Sequence, residues 1–368
     1  MQLPDISTLS FEQKIGQLFF VGIPGDEVDT ATADLMNRIQ PGGVCLFARN
    51  IKGAVQTRAL LDELRSLSAI EPFLSVDQEG GLVDRLRRIL GSMPAASKLS
   101  DKAAASVQAE IIAEALSVLG FNMDFAPVVD VVDAGRSRNS NGLHSRAYGS
   151  SKEDVVELAS TFLVKLQSYG LVGCLKHFPG LGASTVDSHE ELPTVNISTA
   201  EFEEVDLYPY RQLLRRGGVN AVMVGHAVYP ALGLQETTRD GKLLPSSLSY
   251  NIVTTLLRKE LGFEGLVVTD DLEMGAILKN YGICESALMA IRAGHDMVCI
   301  CSGLDRILDA HKMISAAVGD GRLPVQELDD AVRRIMRLKS TMQKPPALDL
   351  AHISSLSRRV ADLSLAFS

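Results

Sequence analysis

No stretch of this 368-residue sequence approaches the roughly 18–20 consecutive apolar residues of a membrane span. The N-terminus, Met1-Gln2-Leu3-Pro4-Asp5, lacks the basic and then apolar regions of an export leader. No Gly-x-Gly-x-x-Gly follows the first apolar run, which counts against an open dinucleotide-binding sheet. Neither His-x-His nor His-Glu-x-x-His is present, so no ready-made zinc motif is on offer. Positive charge is also short. Lys and Arg number 36 against 45 Asp and Glu, for a net charge of −9. That balance argues against nonspecific attraction to nucleic acid or an anionic membrane. The five cysteines, at 45, 174, 284, 299 and 301, are odd in number and scattered through apolar segments. Free, buried thiols in a reducing compartment are expected. Cys299 and Cys301 share a strand face, but no other Cys/His pair has ligand spacing, so both are read as core. The expectation is a soluble cytoplasmic protein with neither metal nor organic cofactor.

What the chain has is a regular beat. Apolar residues make up 46% and charged residues 22%, ordinary for a globular protein with a large core. Short β-branched runs predict strands at Gly16–Val21, Gly43–Phe47, Phe73–Gln78, Met123–Asp130, Leu171–His177, Ala221–His226, Leu266–Asp270 and Met297–Cys301. Helical periodicity fills the gaps near 28–39, 53–68, 101–118, 152–168, 199–216, 246–261, 283–293 and 304–317. Ser151 precedes Glu153 and Asp154 as a helix cap, and Ser198 with Glu201 has capping-box spacing. Eight strands alternating with helices predict an α/β fold, a single-domain (β/α)8 TIM-type barrel, with an open doubly wound sheet as the runner-up. The barrel is assigned to residues 1–340. Residues 341–368, opened by Lys344-Pro345-Pro346, are assigned to a C-terminal helical tail packed on it. No long linker, low-complexity tract or repeat interrupts the pattern.

The chemistry of such barrels collects at the carboxyl ends of the strands. Here those ends read Asp77-Gln78-Glu79-Gly80-Gly81, Asp130, Lys176-His177, Gly225-His226 and Asp270-Asp271. One polar strand end is a solvated cap, whereas five imply a polar pocket. Carboxylates, lysine, histidine and arginine suit a polyhydroxylated ligand, whose hydroxyls both donate and accept. Asp77, Arg85, Lys176 and His177 are placed to hold adjacent hydroxyls. Asp270 leaves an apolar strand along the barrel axis, where a carboxylate can attack an anomeric carbon. Strand phase leaves its neighbour Asp271 as an alternative. Asp187 and His189 lie in the loop after the fifth strand. A carboxylate on one imidazole nitrogen would fix the tautomer and free the other nitrogen for proton transfer. The competing reading is a metal site made of His177, Asp187, His189 and His226.

Read together, these segments resemble glycoside hydrolase family 3, in the branch of bacterial β-N-acetylhexosaminidases of the NagZ type. The resemblance runs from Ser10-Phe11-Glu12-Gln13-Lys14-Ile15-Gly16 to about residue 302. Its most specific part is Lys176-His177-Phe178-Pro179-Gly180, closed by Asp187-Ser188-His189. Val76–Gly81, Phe125–Val131, Ser145-Arg146-Ala147-Tyr148-Gly149 and Thr269–Met274 follow in the same order. The resemblance implies a retaining mechanism with Asp270 as nucleophile and His189, paired with Asp187, as acid/base, where most glycosidases use a second carboxylic acid. It further implies that Asp77, Arg85, Arg146, Lys176 and His177 hold a terminal N-acetylglucosamine. Two departures stand out: Leu181 where the branch usually has histidine, and Leu82 where it usually has arginine.

The resulting expectation is an exo-β-N-acetylglucosaminidase acting on muropeptide fragments of the cell wall, with a small carbohydrate substrate and neither nucleic acid nor membrane as partner. The oligomeric state is left open. The rivals are a β-N-acetylglucosaminide phosphorylase, since a neutral histidine repels phosphate less than a carboxylate would, a non-catalytic N-acetylglucosamine sensor, and a metal hydrolase.

Overall fold

The computed structural model describes residues 4–99, 101–139, 141–238 and 240–367. Met1, Gln2 and Leu3, part of the stretch read for a leader, lie outside them. The strands β1 (Phe19–Gly22), β2 (Gly43–Leu46), β3 (Phe73–Val76), β4 (Met123–Asp124), β5 (Val172–Phe178), β6 (Ala221–Val224), β7 (Leu266–Asp271) and β8 (Met297–Ile300) are parallel and close in chain order. Closure brings β8 back against β1, with Phe20 opposite Cys299. The (β/α)8 barrel read from the sequence is therefore the fold. Each strand is covered on both faces, which is why these runs are apolar without alternation.

The barrel's inside is packed with aromatic rings. Phe20 stacks on Phe73 at 5.8 Å and meets Phe125 edge-on at 5.2 Å. Gly43 opposite must be glycine, because a Cβ there would lie 2.1 Å from the Phe20 ring. The N-terminal end of the barrel is closed by the helix Val325–Lys339, which buries Leu328, Val332, Ile335 and Met336. It ends in a fully buried lysine. Lys339 Nζ donates to Gln17 Oε1 at 2.7 Å and lies 5.2 Å from the centre of the Phe73 ring. A last helix, Leu350–Ala366, packs along the helix Lys102–Leu119. No helix of the described residues is long and apolar enough to cross a membrane.

Several boundaries differ from the sequence reading, each for a local reason. The first strand starts at Phe19, not Gly16, because Phe11–Gly16 is a helix closed by a capping box between Ser10 and Gln13. The third ends at Val76, and Gln78–Gly80 turns away to pair antiparallel with Val83–Asp84. The fourth has only two ladder residues, since Pro127 has no N–H to donate. Its extension nonetheless stays beside β5, with Val129 N donating to Lys176 O at 2.8 Å. The helical region 199–216 widens into a π-helical turn at Phe202–Asp206. Ser198 caps it by accepting from Glu201 N, but the Glu201 carboxylate completes no capping box, because Arg136 takes it at 2.8 Å.

Candidate active site

At the carboxyl ends of the strands a cavity of about 180 Å³ opens, lined among others by Asp77, Arg85, Arg146, Lys176, His177, His189, Asp270 and Asp271. A smaller cavity adjoins it under the loop after β5. That one shares Arg146, His177, His189 and Asp270 and adds Asp187. The two cavities are thus lined by Asp77, Arg85, Arg146, Lys176, His177, Asp187, His189 and Asp270, but not by His226. Cys45, Cys299 and Cys301 are buried free thiols as expected, yet they also line the main cavity.

The floor on the β3–β5 side is a chain of ion pairs. Lys176 Nζ lies 2.6 Å from both Asp77 Oδ1 and Glu79 Oε1. Glu79 also takes a two-pronged grip from Arg146, at 2.8 and 2.9 Å. Burial pushes the Glu79 carboxyl up, but the charges of Arg146 and Lys176 overrule it and hold the group well below the usual carboxylate range. Burial likewise pulls Lys176 down, and Asp77 and Glu79 more than reverse it. Glu79 therefore stays charged between the two cations Lys176 and Arg146.

Arg85 is held differently. Its backbone N–H donates to Gln78 Oε1, and Gln78 is locked by Asp84. Its buried Nε has no partner, which leaves a donor available at the cavity wall. His177 follows Lys176 through a cis peptide. Its Nδ1 lies 2.7 Å from Asp130 Oδ2. A carboxylate only accepts, so Nδ1 carries the proton, and Nε2 faces Arg146 Nη2 at 3.4 Å.

Asp270 and Asp271, which strand phase alone left ambiguous, part company in their surroundings. Asp270 accepts from the Asp271 amide at 2.9 Å. Burial pushes Asp270 up, but His177, His226 and His189 around it bring the carboxyl below its ordinary value. Asp271 is turned to the Glu273 amide. Burial, with Glu273 and Asp270 as like charges, pushes it up to about 7. Asp270 is the one kept ionised.

Asp187 and His189 do face one another. His189 Nδ1 lies 2.8 Å from Asp187 Oδ1, which also accepts from the His189 amide. The pair is the most exposed part of the site, with the His189 side chain 67% and Asp187 37% accessible. Burial raises the Asp187 carboxyl, and these hydrogen bonds outweigh that and lower it. The base of their loop is fixed tightly. Gly182 backs onto Val131 so closely that a Cβ would lie 2.0 Å from Val131 O.

His226, a member of the metal reading, lies near Asp270 but lines neither cavity. It meets Ser247 Oγ at 2.7 Å and the Asp271 carbonyl at 3.1 Å. Burial lowers its affinity for a proton. Among the described residues, no group of three or more His, Cys, Asp or Glu side chains is arranged to hold a metal ion. Two residues carry more than their sequence reading gave them. Glu79 and Asp130 were visible as polar strand ends but received no role. Glu79 stands two residues after Asp77, on the same face of an extended segment, and that spacing was the available signal.

A parallel barrel with its polar pocket at the carboxyl ends of the strands is built as barrel enzymes are. Comparison with known proteins places it further. Residues 10–338 match the glycosyl hydrolase family 3 N-terminal domain, and the chain belongs to that family. A β-hexosaminidase of Psychromonas ingrahamii is 32% identical over 301 residues, covering 79% of this chain and 85% of the relative. β-Hexosaminidase A of Pseudoalteromonas piscicida is 29% identical over 361 residues, and this chain spans only 60% of its length. Among solved structures, a family 3 β-N-acetylglucosaminidase from a Paenibacillus strain superposes with a TM-score of 0.87 at 33% identity, over 97% of this chain and 69% of that one. NagZ from Neisseria gonorrhoeae, solved with a zinc ion, gives 0.74 at 26% identity, over 94% of this chain and 97% of that one.

Proposed function

We propose that this chain is a retaining exo-β-N-acetylglucosaminidase that removes non-reducing terminal β-linked N-acetylglucosamine, with cytoplasmic muropeptide fragments as its substrates. The observation that carries the reading is the pairing within one cavity of an ionised carboxylate, Asp270, with an imidazole, His189, whose Nδ1 is already engaged by Asp187. Asp77, Arg85, Arg146, Lys176 and His177 offer fixed donors and acceptors for the hydroxyls of one terminal sugar. That fits removal of terminal units.

In the first step the Asp270 carboxylate attacks C1 as His189 Nε2 gives its proton to the leaving oxygen. The protonated imidazole required for this is stabilised by Asp187. In the second step His189, now neutral, takes a proton from water, which attacks C1 and releases Asp270. Two inversions leave the configuration unchanged.

The test is nitrophenol release from p-nitrophenyl N-acetyl-β-D-glucosaminide, with and without phosphate, and NMR of the first-formed sugar. Equal rates and a β-configured product support the hydrolase. Acceleration by phosphate with formation of a sugar 1-phosphate moves the assignment to a phosphorylase. Saturable binding of N-acetylglucosamine without turnover makes the chain a sensor.

A further inference from the structure

Asp130 has no place in the chemistry just described, yet it is buried with 1% of its surface accessible and uses both carboxylate oxygens. Oδ2 accepts from the ring Nδ1–H of His177 at 2.7 Å and, more weakly, from the His177 amide at 3.3 Å. Oδ1 accepts from Leu181 N at 2.7 Å. One partner faces the sugar cavity. The other is the first turn of the loop that carries Asp187 and His189. Around this point the loop base is pinned independently: Tyr229 Oη donates to Gly180 O at 2.7 Å, and Asn141 Nδ2 donates to Ser184 O at 2.8 Å. Asp130 is the group that joins the sugar-facing ring to the loop through a single rigid side chain. A carboxylate accepts on both oxygens at once, whereas an amide must present a donor on one side. Asparagine, accepting from Leu181 N with its one oxygen, would turn an N–H toward His177 Nδ1 and force the ring proton to Nε2, where it faces the Arg146 guanidinium.

We propose that Asp130 is a positioning residue that couples His177 to the loop bearing His189, so that filling the sugar cavity also sets the acid/base in place. The proposal rests on the glycosidase reading of the site. It predicts that ligand held by His177 restrains the Leu181 amide through Asp130, and that breaking the link harms binding and turnover together.

The test compares wild type, Asp130→Asn and Tyr229→Phe by hydrogen–deuterium exchange of the 179–190 segment, with and without saturating N-acetylglucosamine, alongside KM and kcat. In wild type the sugar slows exchange in this segment. In Asp130→Asn the sugar still binds, with KM raised about tenfold or more, but no longer slows exchange, and kcat falls as well. Tyr229→Phe loosens the same loop without touching His177. It speeds exchange and leaves both KM and the sugar-induced slowing in place. A merely structural Asp130 would make the two variants alike, and that result overturns the proposal, as does undiminished slowing in Asp130→Asn. If Asp130→Asn does not fold, His177→Ala reads the link from its other end: loop exchange without sugar stays as in wild type, and the sugar-induced slowing is lost. Persistence of the slowing there overturns the coupling. Should wild type neither bind nor cleave the sugar, the functional reading fails on its own, and faster Leu181 exchange in ligand-free Asp130→Asn still reports on the hydrogen bond.

Discussion

Asp270 and Asp271 are joined through one hydrogen bond, the Asp271 amide donating to Asp270 Oδ1 at 2.9 Å, and their carboxyls diverge. Asp270 is held below its ordinary value while Asp271 is pushed up to about 7. The first is available as a nucleophile across the pH range where the second is gaining or losing a proton. Asp270→Ala is expected to lower kcat by at least about 10⁴-fold and to leave N-acetylglucosamine binding measurable by calorimetry. Asp271→Asn keeps the amide donor and should retain turnover well above that floor. Equal losses in the two variants would return the nucleophile to doubt.

Asp271 also sets a pH dependence of stability. Its folded value lies above the ordinary 3.8, so between about pH 4 and 7 the folded chain holds a proton that the unfolded chain has released. Stability from this group is complete below that window and falls as pH rises through it, by at most on the order of 4 kcal/mol. Urea melts of wild type and Asp271→Asn across the window should show the decline in wild type and a flatter profile in the variant. Parallel profiles would contradict it.

Lys339 works in the next window with the opposite slope. Burial pulls its ammonium down to about 7 against Glu71, which pulls the other way. Between about pH 7 and 10 the unfolded chain holds more protons, so this contribution to stability climbs with pH. Lys339→Met should therefore stabilise the protein most near pH 6, by a few kcal/mol at the order-of-magnitude level, with the gain shrinking toward pH 10. A constant difference across pH would show that the lysine is not titrating there.

Glu79→Gln tests the floor of the cavity. Removing this charge leaves Lys176 paired with Asp77 alone and Arg146 with only the more distant charges of Asp130 and Asp77. Breaking a buried pair costs about 3–5 kcal/mol. The expected result is a lower denaturation midpoint together with a raised KM, because a glutamine's single carbonyl oxygen cannot accept from Arg146 at both points and its NH2 faces a cation instead. A variant with unaltered KM would mean that Arg146 is held by other groups.

The barrel was legible because each strand is a short apolar run, five of them ended by polar residues, and all eight runs recur as strands. The helix Val325–Lys339 was not anticipated, although it follows Pro324 and carries Leu328, Val332 and Ile335 in helical spacing. Of the site, the chain shows which residues end each strand but not which ones meet across strands. Lys176 and Glu79 are 97 positions apart and touch only because β5 and β3 flank β4. The antiparallel turn at 78–84 was hidden for the same reason. It depends on Gln78 reaching Asp84 and the amides of Arg85 and Leu86, a contact that leaves no periodic trace. Leu181, one of the two departures from the branch, packs beside Gly225 and donates its amide to Asp130, so the backbone of that turn is anchored whatever side chain it bears.

The exposure of His189 has a consequence for the supply of protons. On the proposed mechanism Lys176 and His177, which hold the sugar, are buried, whereas His189, which exchanges a proton in each half of the cycle, stands at the water's edge. It can be recharged directly from buffer, with no internal relay of side chains to fill or drain. On that mechanism the site keeps two environments apart, a buried, ion-paired cradle for the sugar and a wet terminal for acid and base.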